Sequence, residues 1–496
     1  MFLLFKIIFI SILLFLVLVV FFLSLQAVTL RIQKQVSLIT SLVIFLLTIS
    51  LFCIYVNDSN VGLVKFNWMC ETHSFLAMTM PSISFFFFFD YLNLNLLILT
   101  SFIFCLVIYY LNNTVFTKYN YCAILIFSLW AILILLFCTA NLLFFYFLFE
   151  LSLIPMFFII GIFGNRLRKV HAAVFFIMYT SVLSFFFLLL LLILYYWLGT
   201  FDYFLIRSEL FVYYFQIMSN KFDVFWCLAI IAFFAKLPIF PFHIWLPEAH
   251  VEAPTIGSVI LASILLKVGA YAIIRFVLPF ANLSKYRFFG ISNIHYLVIV
   301  KTLLWISLFY STVIVISQVD LKKIIAYSSI IHMSLGMLGF FSHTVYGAYG
   351  GYLMLFAHGF SSAGLFFIAG MLYSRFGTRL LKYYSGIHTV APRLSFFAFF
   401  FFLANIGFPG TLNFISEFLI FIGIIHTWSF FFILIFGFCF VTSILYSIWI
   451  YNKIFLGTFN TDIFEYYYDL LDYERNILAI LMFVTIFFGI FPNFIL

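Results

Sequence analysis

Charged side chains are scarce in this sequence. Only 8% of its 496 residues are Asp, Glu, Lys or Arg, whereas a soluble domain has about 25%. Polar stretches are short as well, the longest polar-leaning ones being residues 57–90, 200–223 and 457–475. These two shortages exclude a separate soluble domain. The formal net charge of +8 is dispersed over loops without an aromatic-interleaved basic patch, which excludes a nucleic-acid surface.

Motifs that hold a cofactor or activate a nucleophile are missing too. The seven cysteines include no CxxC pair and lie mostly in apolar runs, where cysteine is usually a small buried hydrophobe. The sequence has no GxGxxG, no phosphate-binding loop and no nucleophile elbow. No apolar run carries two histidines at a haem-ligating spacing. We therefore expect no nucleotide, flavin, iron–sulfur, haem or metal site in this chain.

Long apolar runs are what the sequence has instead. Hydrophobic residues make up 67% of the chain, and runs of about 20 residues, enough for a helix to cross a bilayer, recur from end to end. The runs lack the alternation that is typical of transmembrane barrel strands. The sequence therefore predicts an all-α polytopic membrane protein with about 14 transmembrane helices. Their expected ranges are 2–25, 36–56, 84–111, 121–140, 142–163, 171–199, 222–243, 254–279, 292–317, 323–341, 346–374, 392–422, 429–455 and 476–495.

Basic loop residues are distributed unevenly between the two sides of the membrane. An even number of spans puts both termini on one side, with six Lys and Arg residues there and fourteen opposite. Because basic loops remain on the cytoplasmic or matrix side, we expect the termini to face the intermembrane space or a periplasm. The 78 Phe and 30 Tyr residues have AT-rich codons, which indicates an organelle gene for so hydrophobic a product.

Five ionisable residues stand inside the apolar runs: Glu150, Lys236, Lys267, Glu417 and, less deeply, Lys301. A charged side chain at the centre of a span costs about 3 kcal/mol, so each is by default a candidate functional group. The alternative is a set of buried salt bridges that only lock helices together. Lys301 leaves a further alternative open, because its ammonium could reach the nearer membrane surface by snorkelling.

Helix-breaking residues stand beside two of these charges. Pro238 follows Lys236, and Pro409-Gly410 precedes Glu417. Proline removes a helical hydrogen bond, so the seventh and twelfth transmembrane helices are expected to be broken. Backbone groups freed within a membrane must face protein or a water-filled cavity. The pairing of a charge with a break therefore predicts an ion path near the middle of the membrane.

Two histidines and a repeated interval extend this pattern. His332 and His358 lie in the tenth and eleventh spans, and imidazole is a usable proton relay near neutral pH. Glu150 and Lys236 are 86 residues apart, and His332 and Glu417 are 85 apart. Five spans separate the two sets, and an odd number of spans inverts successive units. The sequence thus predicts two inverted five-helix repeats.

These observations suggest four regions. Residues 1–120 hold the first three transmembrane helices, and residues 121–280 form a first repeat, helices 4–8. Residues 281–456 form a second repeat, helices 9–13. Residues 457–496 hold a loop on the basic, matrix side and the last helix.

Several stretches resemble one known family. Residues 235–275, AKLPIFPFHIWLPEAHVEAPTIGSVILASILLKVGAYAIIR, closely resemble the signature of the antiporter-like subunits of respiratory complex I. The segments at 317–336 (SQVDLKKIIAYSSIIHMSLG), 356–370 (FAHGFSSAGLFFIAG) and 408–420 (FPGTLNFISEFLI) are similar to that family too. The resemblance covers about residues 140–455. Glu417 stands where sister subunits typically carry Lys, which points to one particular subunit.

The resemblance implies a proton-pumping module of a mitochondrial inner-membrane complex. Electrons would pass from NADH through FMN and iron–sulfur clusters to ubiquinone in other subunits, and this chain would bind no cofactor. Its partners would be other membrane-arm subunits, including neighbouring antiporter-like subunits, together with membrane lipids.

The resemblance also implies roles for the embedded charges. Glu150 and Lys236 would form a switchable pair, because a nearby opposite charge changes the proton affinity of an ionisable group. Lys267 would be the central relay and Glu417 the terminal proton site. The histidines at 332 and 358 would help to connect them.

Two other functions fit the residues. A subunit of a multisubunit Na⁺/H⁺ antiporter shares these motifs, and copurifying proteins would distinguish it from a complex I subunit. A structural membrane scaffold with inert charges would tolerate neutral substitutions, although the expected helix breaks beside the charges argue against it.

Overall fold

The chain folds almost entirely into helices. The computed structural model describes residues 2–25, 29–57, 64–67, 86–114, 118–164, 166–207, 219–281, 296–459 and 468–495. Among these residues, twelve helices are long and apolar enough to cross a membrane. Each of the twelve corresponds to one predicted span. The seventh predicted span contains one shorter helix, Ser219–Lys236, followed by non-helical residues, and the twelfth consists of two shorter helices, Pro392–Ile406 and Leu412–Thr427. The expected helical membrane fold is thus confirmed, apart from a two-stranded antiparallel hairpin whose second strand, Phe86–Phe89, occupies the start of the third predicted span.

The chain divides into two compact units, each described here by itself. Unit 1 comprises Met1–Phe163, Ile177–Ala232 and Pro279–His295. Its elements are α1 (Phe2–Ser24), α2 (Leu30–Asn57), β1 (Val64–Asn67), β2 (Phe86–Phe89), α3 (Tyr91–Asn113), α4 (Tyr119–Cys138), α5 (Leu142–Leu151), α6 (Leu153–Phe163) and α8 (Tyr203–Arg207). Three helices have residues in both units, namely α7 (Lys169–Leu198), α9 (Ser219–Lys236) and α13 (Leu278–Ala281).

Unit 2 comprises Gly164–Phe176, Phe233–Leu278 and Tyr296–Leu496. Its remaining helices are α10 (Trp245–Glu252), α11 (Thr255–Ile260), α12 (Leu266–Phe276), α14 (Tyr296–Ser317), α15 (Leu321–Phe341), α16 (Val345–Phe376), α17 (Pro392–Ile406), α18 (Leu412–Thr427), α19 (Phe430–Phe455) and α20 (Asp472–Ile490). A π-helical turn, Leu261–Leu265, joins α11 to α12. The division into four regions and the inverted repeats stay predictions.

Buried polar contacts tie the helices of unit 1 together. The Tyr119 hydroxyl on α4 lies 2.6 Å from the Ser37 hydroxyl on α2 and donates to Asn112 Oδ1 on α3 at 2.6 Å. The Lys34 ammonium donates to the Asn112 carbonyl at 2.7 Å. Within a membrane such bonds supplement van der Waals packing, since lipid supplies little hydrophobic drive between helices.

Helix α16 is the centre of unit 2. It contacts α15, α17, α18 and α20, and its most apolar stretch of 18 residues is completely buried. Its close packing depends on small residues. A Cβ at Gly350 would lie 2.7 Å from the backbone nitrogen of Ile420 on α18. This packing brings side chains from neighbouring helices into one buried layer.

The seventh span is broken directly after Lys236. Helix α9 ends there, residues 237–244 are not helical, and α10 begins at Trp245. The Trp245 indole nitrogen donates to the Ala235 carbonyl at 2.7 Å. This bond satisfies one of the carbonyls that the break releases, as the interior of a membrane requires.

The twelfth span is broken between Ile406 and Leu412. Gly407 and Gly410 have φ angles of 80° and 92°, in the left-handed region that only glycine adopts readily. Both broken helices therefore occur where proline and glycine predict them.

A third irregularity lies in the eighth span, between Pro254 and Pro279, where residues 255–278 contain no proline. The π-helical turn Leu261–Leu265 precedes Lys267. Single π turns occur frequently at functional sites. Nothing in the local sequence predicts this one.

Ion pairs and a hydrogen bond hold the C-terminal end of α10 in place. The Arg379 guanidinium contacts Glu252 at 3.1 Å and Asp320 at 3.6 Å. The Lys322 ammonium donates to the Ala253 carbonyl at 2.7 Å. These contacts fix the end of α10 to the start of α15.

The C-terminal helix has an anchor of its own. Arg375 on α16 forms a buried bidentate ion pair with Glu474 on α20, and its guanidinium also lies 4.7 Å from the Tyr468 ring centroid. Bidentate guanidinium–carboxylate pairs have a defined geometry. This pair therefore fixes α20 against α16.

Candidate functional site

Lys267 is fully buried in α12 of unit 2. Its ammonium donates to the Ala262 carbonyl, five residues earlier, at 2.7 Å. Ala262 belongs to the π-helical turn, where the wider backbone loop presents a carbonyl to a side chain. The same ammonium lies 2.9 Å from His358 Nδ1 on α16. The π turn thus holds Lys267 where it can exchange a proton with a histidine.

His358 and His332 lie side by side on neighbouring helices. Their ring centroids are 5.8 Å apart, and both side chains are almost completely buried. Among the described residues, His358 Nε2 has no hydrogen-bond partner. A buried imidazole with one free nitrogen retains a position at which it can accept or release a proton.

Glu417 continues the row on the other side of His332. Its Oε1 lies 3.6 Å from His332 Nδ1. The other imidazole nitrogen, His332 Nε2, lies 3.1 Å from Asn405 Oδ1, and Asn405 Nδ2 lies 3.4 Å from the Tyr446 hydroxyl. Asn405 therefore orients the His332 ring, which in turn presents its second nitrogen to the carboxylate.

The break in the twelfth span makes room for this carboxylate. A Cβ at Gly407 would collide with Glu417 Oε2, and the φ of 80° at this position is strained for other residues. The break therefore has a local consequence, since it creates the space in which Glu417 sits.

Lys236 approaches the same region from the other broken helix. Its side chain is buried at the last position of α9. A Cβ at Gly269 on α12 would lie 2.9 Å from the backbone nitrogen of Leu237. The peptide after Lys236 thus packs directly on the helix that carries Lys267.

The six predicted site residues therefore have different placements. The structure brings Lys267, His358, His332 and Glu417 into one buried row, and Lys236 lies on a helix end packed against it. Glu150 belongs to unit 1 and Lys236 to unit 2, so their pairing stays a prediction.

Lys301 is outside the row. Its partly buried ammonium lies 4.8 Å from the Trp428 ring centroid, a cation–π distance. This placement accords with the snorkelling alternative.

Sequence reasoning missed two members of this site, Asn405 and Tyr446, and one further buried histidine, His250. Asn405 and Tyr446 stand in apolar helices without a nearby charge, although a polar side chain inside a span was a usable signal. His250 is completely buried, with its ring stacked on Phe366 at 4.5 Å. Neither of its ring nitrogens has a hydrogen-bond partner within the described part of the chain.

The chemistry of the row is that of proton exchange. Over the described residues, no group of three or more His, Cys, Asp and Glu side chains could hold a metal ion. An amine, two imidazoles and a carboxylate in succession can each bind and release a proton. Their burial shields the exchange from bulk solvent.

Comparison with known proteins identifies a matching family model. Residues 139–445 match the family described as NADH:quinone oxidoreductase/Mrp antiporter, TM. The chain is 39% identical over 410 residues to NADH-ubiquinone oxidoreductase chain 4 of Acanthamoeba castellanii, covering 82% of this chain and 79% of that one. It is 36% identical over 467 residues to the Marchantia polymorpha protein of the same name, covering 93% and 89%.

Solved structures give the same fold. A chain in the structure titled respiratory complex I from Thermus thermophilus with bound NADH matches with a TM-score of 0.80 and 25% identity, over 98% of this chain and 96% of that one. A chain of an archaeal membrane-bound sulfane sulfur reductase matches with a TM-score of 0.83 and 18% identity, over 97% and 75%. The second match shows the fold alone.

Proposed function

Because the chain belongs to the NADH:quinone oxidoreductase/Mrp antiporter family of membrane subunits, and within it to the NADH–ubiquinone oxidoreductase chain 4 proteins, we propose that it translocates protons in the membrane arm of that oxidoreductase. The observation that carries this proposal is the buried row Lys267–His358–His332–Glu417. The relatives' names agree with the particular subunit that the resemblance indicated.

The row supports a stepwise proton transfer. Lys267 and His358 are within direct hydrogen-bond distance at 2.9 Å. The two imidazole rings, with centroids 5.8 Å apart, need one bridging water or a ring rotation. The 3.6 Å between His332 and Glu417 closes by a small side-chain movement. Each imidazole can accept a proton at one nitrogen and release one at the other.

Glu150 and Lys236 are the proposed switch that loads this row. An acid close to a lysine favours the charged lysine, and its departure favours release of the proton. Because the peptide after Lys236 packs on the helix of Lys267, a proton released at α9 has a short distance to travel. Only side chains and water need move, while the helices remain in place.

The chain is a multi-pass membrane protein, and its proposed location is the mitochondrial inner membrane. The loop charges support termini in the intermembrane space, and the codon bias supports an organelle gene. NADH, FMN, iron–sulfur clusters and ubiquinone would act in other subunits. The neighbours would be membrane-arm subunits, antiporter-like ones included, and membrane lipids.

Lys267 offers a direct test of the function. Lys267→Arg preserves a positive charge and its donors but holds its proton permanently, because the guanidinium does not deprotonate in proteins. A proton relay should lose at least about tenfold of quinone-linked turnover and of proton transport in vesicles. NADH oxidation by a soluble artificial acceptor should be unchanged, since it does not require the membrane arm.

Two further variants make the result of this test easier to interpret. Lys323→Arg, at an exposed salt bridge with Glu248, should be silent. Lys267→Gln removes the charge without adding bulk, so it covers the case in which arginine does not fit. Normal proton transport in both Lys267 variants would contradict the proposed proton-translocating function. Copurification with an antiporter assembly and no NADH-oxidising subunits would instead support the Na⁺/H⁺ antiporter alternative.

A further inference from the structure

An open crevice runs along the surface of unit 2, between α14 and α19. Its volume is about 900 Å³, and Thr302 is the one lining residue that is neither aliphatic nor aromatic. The crevice lies away from the proton row and plays no part in it. Apolar surface is ordinary on a membrane protein, but an open furrow between two helices is a concave site that a bound molecule can occupy.

The two helices touch along the length of the crevice. The Trp305 and Phe432 ring centroids are 5.2 Å apart near one end, and those of Phe309 and Phe438 are 5.6 Å apart further along. Deeper still, the Thr312 hydroxyl lies 3.7 Å from Cys439 Sγ. The helices therefore run side by side, and the crevice has a closed floor and an open top.

The length of the crevice corresponds to one leaflet. Its lining on α14 extends from Thr302 to Ile314, a rise of about 18 Å at 1.5 Å per residue. Half of a hydrocarbon core about 30 Å thick is about 15 Å. A single acyl chain that starts at the membrane surface would therefore fill the crevice from end to end.

A cation stands at the mouth of the crevice. Lys301 precedes Thr302, and its ammonium lies over Trp428, whose ring packs on Trp305 at 5.5 Å. Within the described residues, Lys301 has no acidic partner among the recorded ion pairs. Lysine and tryptophan together are typical of the level at which lipid headgroups lie.

We propose that this crevice binds an anionic phospholipid, with its phosphate at Lys301 and an acyl chain along Trp305, Phe309 and Val313. The bound lipid belongs to the leaflet in which α14 begins. The charge at the mouth selects the headgroup, and the apolar furrow holds the chain.

The test uses the tagged chain, isolated from native membranes with the subunits that accompany it. It is incubated with phosphatidylglycerol that carries a diazirine in its acyl chain, and separately with the phosphatidylcholine analogue. After irradiation, the labelled residues are mapped by mass spectrometry. We expect phosphatidylglycerol labels on α14 between Ile306 and Ile314 and on α19 near Phe438.

Two variants and two controls make the result specific. Lys301→Gln should lower phosphatidylglycerol labelling about fivefold, the effect of one basic residue near a headgroup, and leave phosphatidylcholine labelling unchanged. Val313→Trp should block the furrow and lower labelling by both lipids. Lys453→Gln, at the far end of α19, and Val441→Trp, on its exposed surface, should change neither.

Two outcomes would overturn the proposal. One is labelling of the crevice that does not respond to Lys301→Gln and does not distinguish the two headgroups. The other is the absence of lipid labels together with cross-links from crevice residues to another polypeptide, which would make the furrow a subunit interface.

Discussion

Lys267 Nζ and His358 Nδ1 lie 2.9 Å apart in the buried interior of unit 2. Two basic groups at this distance repel each other strongly if both are protonated, since both are buried away from bulk solvent. The pair therefore carries one proton more readily than two. It behaves as a unit in which arrival of a second proton drives departure of the first, and this property suits a relay.

His358→Gln should interrupt the row with little change in volume. Glutamine can hydrogen-bond to Lys267, but its amide cannot bind and release a proton near neutral pH. Quinone-linked turnover and proton transport should both fall at least about tenfold, and oxidation of NADH by a soluble acceptor should persist. His426→Gln, at an exposed position near the end of α18, is the control and should behave as wild type. Undiminished proton transport in His358→Gln would remove this histidine from the path.

Gly269→Ala tests the contact between the broken seventh span and the helix of Lys267. The added Cβ would lie 2.9 Å from the Leu237 nitrogen, so the two segments must separate. We expect lower turnover and a lower midpoint temperature for the isolated complex, by the equivalent of about 1–3 kcal/mol. Gly437→Ala, where a Cβ meets no atom within 4 Å, should be neutral or slightly stabilising. Equal behaviour of the two variants would mean that the contact does not position Lys236.

The orientation of the chain can be tested by labelling. A single cysteine at Lys382, in a loop of the fourteen-charge side, should react with a membrane-impermeant reagent only when the matrix side is accessible. A cysteine at exposed His426, on the opposite side, should react from the intermembrane space. Labelling in the reverse sense would invert the proposed topology while leaving the proton row intact.

Glu150→Gln addresses the switch. Glutamine preserves shape and hydrogen bonding but removes the negative charge that would alternate beside Lys236. Coupled turnover should drop severely while the complex still assembles. Failure to assemble would favour a structural salt bridge, and near-normal pumping would eliminate the switch. Glu248→Gln, which removes an exposed ion pair with Lys323, controls for loss of an acid and should cost at most about 1 kcal/mol.

The fold was predictable from the sequence because apolar length determines where helices cross a membrane, and proline and glycine determine where they break. The row was partly predictable, since Lys267, His332, His358 and Glu417 are costly in a span unless they serve a purpose. The π turn that aims Lys267 at His358 was not predictable, because no local residue marks it, although α11 and the turn itself pack on α16. Asn405 was not predicted as a site residue, because a neutral amide in an apolar span is weaker evidence of function than a charged side chain.

Glu417→Gln separates a proton path from an inert lock. The carboxylate lies 3.6 Å from His332 Nδ1, in space that Gly407 leaves open. Glutamine fills that space and retains hydrogen bonding, so a lock that depends on packing should tolerate it. A proton path should not, because the amide cannot exchange a proton at this end of the row. Quinone reduction and proton uptake into reconstituted vesicles should decline together, at least about tenfold, while the soluble-acceptor rate remains intact. Glu417→Asp, which retains an exchangeable proton but shortens the side chain, should recover part of both activities. If Glu417→Gln retained quinone reduction and a normal proton gradient, Glu417 would not belong to the proton path, and the row of proton-exchanging residues would end at His332.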